Sequence, residues 1–287
     1  MDFESGKELL EICERENMLI SDVMLKRECD ETGETPDEVL AKLRISLDIM
    51  RESCKASIDT PVRSMGGLIG GEARKMMCSP YKLSGPLLTT AMSYAMSVLE
   101  VNASMGLIVA APTAGSSGVV PGCLVALDEY NELGEEMLLK GLLNASAVGY
   151  LFMRNASVAG AEGGCQAEVG AASAMAASAI VELSGGRPNR ALNAAAFAIS
   201  NILGMVCDPI AGLVESPCQN RNAIGVMNAF TGAQLSLAGI THPVPFDEMV
   251  DSMIQVGRSL PMELRETALG GCACTPTGCD LSCRILG

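Results

Sequence analysis

The segment Thr35-Pro36-Asp37-Glu38 is followed by apolar side chains at Val39, Leu40, Leu43, Leu47 and Met50, the recurrence of one helix face. Threonine before the first turn, proline at its first position and glutamate at its third make a capping box. The spacing predicts a helix over residues 36–57. Farther along, Ala171-Ala172-Ser173-Ala174-Met175-Ala176-Ala177 and Ala194-Ala195-Ala196 are strong helix formers with little bulk. Runs of β-branched residues are short, and no period-two alternation persists. Breaks fall at Gly66-Gly67, Gly70-Gly71, residues 115–118, Gly163-Gly164, Gly185-Gly186, Pro209, Pro217 and Gly270-Gly271. The pattern predicts an all-α chain, a compact helical bundle with Gly-rich turns in which small residues let the helices approach closely.

Charge divides the 287 residues in two. Residues 1–60 hold 24 of the 54 charged side chains, as expected of helices with solvated faces, and residues 61–287 hold the other 30. The first segment reads as an N-terminal charged helical part and the second as the body. A formal charge of −14 argues against a nucleic-acid binder, which needs a basic face, and 3% aromatic content gives few stacking platforms. The charge-free run over residues 101–127 is long enough for a membrane span, but its centre, Pro112-Thr113-Ala114-Gly115-Ser116-Ser117-Gly118, has backbone that lipid does not tolerate. It reads instead as a buried helix entering a buried turn. The charged start, residues 1–7, has no signal-peptide pattern. Twelve cysteines then suggest reduced thiols, a cytoplasmic setting, and metal or redox chemistry.

Familiar catalytic arrangements are missing. The single histidine, His242, sits in a Thr-His-Pro-Val-Pro turn and reads as structural or exposed, with no nucleophile elbow to accompany it. No phosphate loop or dinucleotide fingerprint occurs. Lys75, Lys82 and Lys140, the lysines after residue 60, lie in no convincing pyridoxal phosphate motif. Cys165 follows a Gly-Gly turn before the Ala-rich helix, Cys207 ends the next helical run, and Cys218 follows Pro217 at a helix start. Their spacing matches no zinc knuckle or ferredoxin run, and alone it favours three separate buried cysteines. Cys272, Cys274, Cys279 and Cys283 gather near the end; they suit either a four-thiolate metal site or, better, a mobile tail with reactive thiols. The turn at residues 113–118 offers hydroxyls from Thr113, Ser116 and Ser117, and N–H groups at Gly115 and Gly118, for a carboxylate.

Several long segments resemble the α chain of iron–sulfur-dependent L-serine dehydratase. They include Val101-Asn102-Ala103-Ser104-Met105-Gly106, Pro112-Thr113-Ala114-Gly115-Ser116-Ser117-Gly118, Gly163-Gly164-Cys165-Gln166-Ala167-Glu168, Val206-Cys207-Asp208-Pro209, Pro217-Cys218 and Leu264-Arg265-Glu266-Thr267. The resemblance runs from the first helix almost to the C-terminus. It implies an all-helical chain carrying a [4Fe–4S] cluster held by Cys165, Cys207 and Cys218, with the fourth iron free to bind substrate. It places substrate contacts at Asn102, Thr113, Ser116, Ser117 and Gly118. It further implies a β chain as partner, supplying the proton-abstracting base or completing the pocket, since no base is assigned within this chain. Two departures stand out. Ser64-Met65-Gly66-Gly67-Leu68-Ile69-Gly70-Gly71 lacks the family's hydroxyls at Gly66 and Ile69, and the C-terminal cysteines are outside the family pattern. The implied activity is conversion of L-serine to pyruvate and ammonia. A cysteine-desulfurating lyase on the same cluster, an iron–sulfur redox sensor and a zinc-stabilised scaffold are the competing readings.

Overall fold

The computed structural model describes all of residues 1–287. Thirteen α-helices follow one another: α1 (Gly6–Glu16), α2 (Ile20–Thr32), α3 (Pro36–Asp59), α4 (Glu72–Cys78), α5 (Gly85–Ala103), α6 (Val119–Asn131), α7 (Glu135–Asn155), α8 (Gly160–Gly163), α9 (Ala171–Leu183), α10 (Pro188–Ser200), α11 (Cys218–Leu237), α12 (Phe246–Ser259) and α13 (Pro276–Leu286). There is no strand; a lone bridge joins Cys207 to Arg265. The expected all-α bundle is present, and no helix is long and apolar enough to cross a membrane.

The box before α3 forms as its residues dictate: Glu38 N–H donates to Thr35 Oγ1 (3.4 Å), and Thr35 N–H donates to the Glu38 carboxylate (2.8 Å). The helix runs two residues beyond the expected end, to Asp59. At the centre lies α9, buried on every side, as a helix apolar all round must be. Its alanines and serines let α7, α10 and α11 pack directly against it. Its one charge, Glu182, accepts from Ile20 N–H (3.1 Å) and Asn144 Nδ2 (2.7 Å), tying α9 to the start of α2 and to α7. Asp247 on α12 accepts from Gly6 N–H (2.7 Å) and Lys7 N–H (3.0 Å), capping α1. One hydrophobic core therefore extends from Phe3 to Met253.

The charge-free run of residues 101–127 is the end of α5, an irregular stretch, a single 3₁₀ turn at Ala114–Ser116, and the start of α6. The crossing of α5 and α6 is very close. A Cβ at Gly118 would stand 2.3 Å from Ala95 O, and one at Gly122 would stand 2.7 Å from Ala91 O. This crossing places the hydroxyl-rich turn beside α11 and the cysteines. Replacing a helical glycine by alanine normally stabilises by about 1 kcal/mol. Gly122→Ala is expected to do the opposite, lowering the unfolding free energy by about 1–3 kcal/mol through overpacking. Urea titration followed by circular dichroism measures it; equal or greater stability would contradict the close crossing.

Candidate functional site

Cys165, Cys207 and Cys218 are all buried, and no cysteine in the chain is in a disulfide. Hydrogen bonds bring their segments together: Gln166 N–H donates to Met205 O (3.1 Å), and the Arg221 side chain donates through Nη1 to Val206 O (2.8 Å). Cys218 opens α11, as its Pro-Cys context predicts. Cys207 does not end a helix. It lies seven residues past α10, in extended backbone held by Cys207 N–H to Leu264 O (2.9 Å) and Glu266 N–H to Cys207 O (2.7 Å). Gly204, in the left-handed conformation (φ 83°), ends the helical run before it. Cys165 is followed not by an ordinary helix start but by a π-turn, Gln166–Gly170, which leads into α9.

Burial pushes the Cys165 thiol up to about 12, and the positive charge of Arg221 pulls the other way. Cys218 is likewise raised by burial to about 12, and Cys207 is raised by burial and then by the charge of Cys165. Each thiol is thus within electrostatic range of the others. Arg221 also pairs with buried Asp208 at 2.7 Å. Arg265, on the strip beside Cys207, has a buried Nε with no hydrogen-bond partner. Three buried thiols on adjoining segments, beside the Arg221 guanidinium, suit a group that binds thiolates and spreads their negative charge. No three His, Cys, Asp or Glu side chains converge tightly enough for a single ion. A cluster asks for something different, because each thiolate binds a separate iron.

The turn at residues 113–118 sits between the π-turn and α11. Asn222, fully buried, donates through Nδ2 to Gly115 O (2.8 Å) and Cys218 O (3.0 Å) and accepts from Gly118 N–H (3.1 Å). Thr113 Oγ1 donates to Glu168 (2.8 Å) and lies 3.1 Å from Ser116 Oγ. Two expected contributions are spent inside the turn: the Ser117 hydroxyl donates to Ala114 O (2.8 Å), and the Gly118 N–H goes to Asn222. The N–H groups of Ala114 and Gly115 remain without an acceptor in the chain. Asn102, with an uncommitted side-chain amide, adjoins Ala103, whose carbonyl accepts from Met65 N–H (2.8 Å).

The loop of residues 64–71 is organised by a buried carboxylate. Glu215 accepts from Ser64 Oγ (2.6 Å), Gly66 N–H (2.6 Å) and Leu68 N–H (2.9 Å). A Cβ at Gly66 would meet Leu213 Cδ1 at 2.4 Å, so Leu213 closes off the room a hydroxyl-bearing side chain would need there.

Sequence reasoning missed Glu168. Burial raises it to about 7, opposed by the Thr113 hydrogen bond and reinforced by Glu266. The π-turn was the physical signal, and such turns often mark functional sites, but no residue pattern announces one. The C-terminal segment also departs from expectation. It is not a loose tail: Thr275 caps α13 by accepting from Gly278 N–H (3.0 Å), and Cys272 N–H donates to Asp208 (2.6 Å). Its four cysteines are exposed and do not gather into a metal site. His242 lies elsewhere, in a cavity of about 660 Å³ between α1, α10 and α12, with Nδ1 engaged by Val244 backbone.

A family model described as "Serine dehydratase alpha chain" matches residues 15–273. The chain belongs to this serine dehydratase α-chain family. Among relatives, "Probable L-serine dehydratase, alpha chain" of Bacillus subtilis is 46% identical over 288 residues, covering 99% of this chain and 96% of that one. "L-serine dehydratase, alpha chain" of Peptoniphilus asaccharolyticus is 45% identical, covering 96% and 95%. An "L-serine dehydratase" of Mycobacterium bovis is 37% identical over 95% of this chain, which spans only 61% of that longer protein. As a member of the serine dehydratase α-chain family, this chain carries Cys165, Cys207 and Cys218, the turn and the π-turn within the matched span.

The clamp on the turn has a measurable consequence. Asn222→Ala removes three hydrogen bonds in a dry interior and should cost about 1–3 kcal/mol of stability. The Gly118 amide should lose hydrogen-exchange protection while amides in α9 keep theirs relative to global unfolding. Unchanged Gly118 protection would show that the turn is held by something else.

Proposed function

We propose that this protein is the α chain of an iron–sulfur-dependent L-serine ammonia-lyase of the cytoplasm, converting L-serine to pyruvate and ammonia. The observation that carries the reading is the junction of three buried thiols with a donor-rich turn, linked by Asn222. Relatives named as L-serine dehydratase α chains over nearly their whole length support it. Cys165, Cys207 and Cys218 would hold a [4Fe–4S] cluster, which when bound supplies a Lewis-acidic iron for a poor leaving group, the substrate β-hydroxyl.

The chain's own part is to bind and orient. The free N–H groups of Ala114 and Gly115 receive the substrate carboxylate, and the Ser116 hydroxyl, now turned to Thr113, rotates to join them. Asn102 offers its amide from the rim. Ser117 and Gly118 keep the turn in shape through Ala114 O and Asn222. Burial excludes water from the thiols, and Arg221 offsets their charge. Loss of the α-proton and of hydroxide leaves an enamine, which tautomerises and hydrolyses to pyruvate and ammonia. A β chain completes the pocket and supplies the group that takes the α-proton. The greater length of the Mycobacterium bovis relative, of which this chain matches 61%, is consistent with a second part.

Co-expression with a β chain, anaerobic purification and a pyruvate assay with L-serine test the reading. Cys165→Ala, Cys207→Ala and Cys218→Ala should each abolish iron loading, whereas Cys13→Ala and Cys29→Ala should leave iron content unchanged. Ser116→Ala should lower kcat/KM about ten- to a hundredfold, the worth of a hydrogen bond to a charged group, with cluster absorption retained. Normal cluster absorption in Cys207→Ala would overturn the ligand set. Absence of pyruvate from the loaded two-chain protein would overturn the activity.

A further inference from the structure

The buried carboxylates around the site are nearly all spent. Glu215 is saturated by Ser64, Gly66 and Leu68. Glu100 accepts from Ser57, from Ala73 N–H (3.0 Å) and from Gln219 Nε2 (2.7 Å). Asp208 is paired with Arg221 and accepts from Cys272 N–H. Glu168 differs. Its Oε1 accepts from Thr113 Oγ1 at 2.8 Å, its Oε2 receives no hydrogen bond, and no lysine or arginine forms an ion pair with it. The one other acid that acts on it electrostatically, Glu266, is exposed and of the same sign.

Two glycines keep space around this carboxylate. A Cβ at Gly115, in the hydroxyl-rich turn, would lie 3.0 Å from Oε1. One at Gly160 would lie 2.7 Å from Oε2 and 3.0 Å from Cys207 Sγ. Glu168 therefore stands between the turn and a cysteine, with its free oxygen on the cysteine side. Its backbone is fixed there by Gln166, whose side chain donates to Met253 O (3.0 Å) and accepts from Gly204 N–H (2.9 Å) on either side of the π-turn. A half-buried carboxylate with one oxygen unpartnered is stabilised by a cation that joins it. A substrate held by its carboxylate in the turn carries its α-ammonium on the same carbon, so the cation site must adjoin the anion site.

We propose that Glu168 receives the α-ammonium group of the substrate, and so selects α-amino acids over hydroxy acids with the same carboxylate and β-hydroxyl. This rests on the proposed lyase reading and adds the specificity-determining residue to it. The ammonium supplies the missing donors to Oε2, while Thr113 holds Oε1 and couples the two recognition sites.

The test uses the cluster-loaded protein with its β chain, comparing L-serine as substrate with L-glycerate as competitive inhibitor. Glu168→Gln should raise the KM for L-serine about ten- to a hundredfold, leave the inhibition constant for L-glycerate within about twofold, and leave iron and sulfide content unchanged. Glu168→Asp, which keeps the charge, should recover part of the discrimination; if the glutamine variant does not fold it serves in its place, with the KM for L-serine raised, the inhibition constant for L-glycerate unchanged, and wild-type KM values overturning the proposal. Parallel weakening of L-serine and L-glycerate would overturn the proposal in favour of a role in shaping the turn. A fall in kcat with unchanged KM would overturn it in favour of proton transfer. Failure of the wild-type protein to act on L-serine would instead strike the lyase reading, so the two are told apart.

Discussion

Asn222 makes three hydrogen bonds in a place no water reaches, and the site depends on them. Its amide is the one group that touches both the hydroxyl-rich turn and the residue opening α11, Cys218. Amide geometry fits the task, since one side donates twice and the other accepts once. An aspartate would place charge there without donors, and a leucine would leave Gly115 O and Gly118 N–H unsatisfied. The crossing of α5 and α6, with backbone pressed against Gly118 and Gly122, brings the turn within reach of that amide.

A second constraint is charge in a dry interior. The structure buries Glu100, Glu182, Asp208 and Glu215, each stabilised by backbone or side-chain donors, and uses them as ties between distant segments. This explains how a body poor in charge can hold irregular loops firmly. Glu168 Oε2 and the Arg265 Nε are polar atoms on the cysteine-bearing segments or the strip paired with them that have no hydrogen-bond partner. Groups left short of partners beside a candidate site are where a ligand gains most.

Much of the fold was legible in the sequence. The capping box at Thr35 and the apolar spacing after it placed α3, and the alanine-rich runs placed α9 and α10. The same threonine-proline signal at Thr275-Pro276 marks the start of α13, although the glycines and cysteines around it match a mobile tail equally well. Local pattern could not give the extended pairing of Cys207 with Arg265, because that partner lies 58 residues away and makes only one bridge. Spacing alone separated the three cysteines; the resemblance united them, and the fold brings their segments together. The commitment of Ser117 and Gly118 inside the turn, and the direction of Glu168, depend on tertiary hydrogen bonds that no motif encodes.

The central claim is that three thiols from separate segments hold a four-iron cluster with one iron left for substrate. Mössbauer spectroscopy of the wild-type protein, reconstituted anaerobically with ⁵⁷Fe and sulfide in the presence of the proposed β chain, tests this directly. The account predicts about four irons per chain, of which one shifts its spectrum when L-serine is added while the others stay as they were. A spectrum that L-serine leaves unchanged, or a protein that assembles no four-iron cluster, would contradict it.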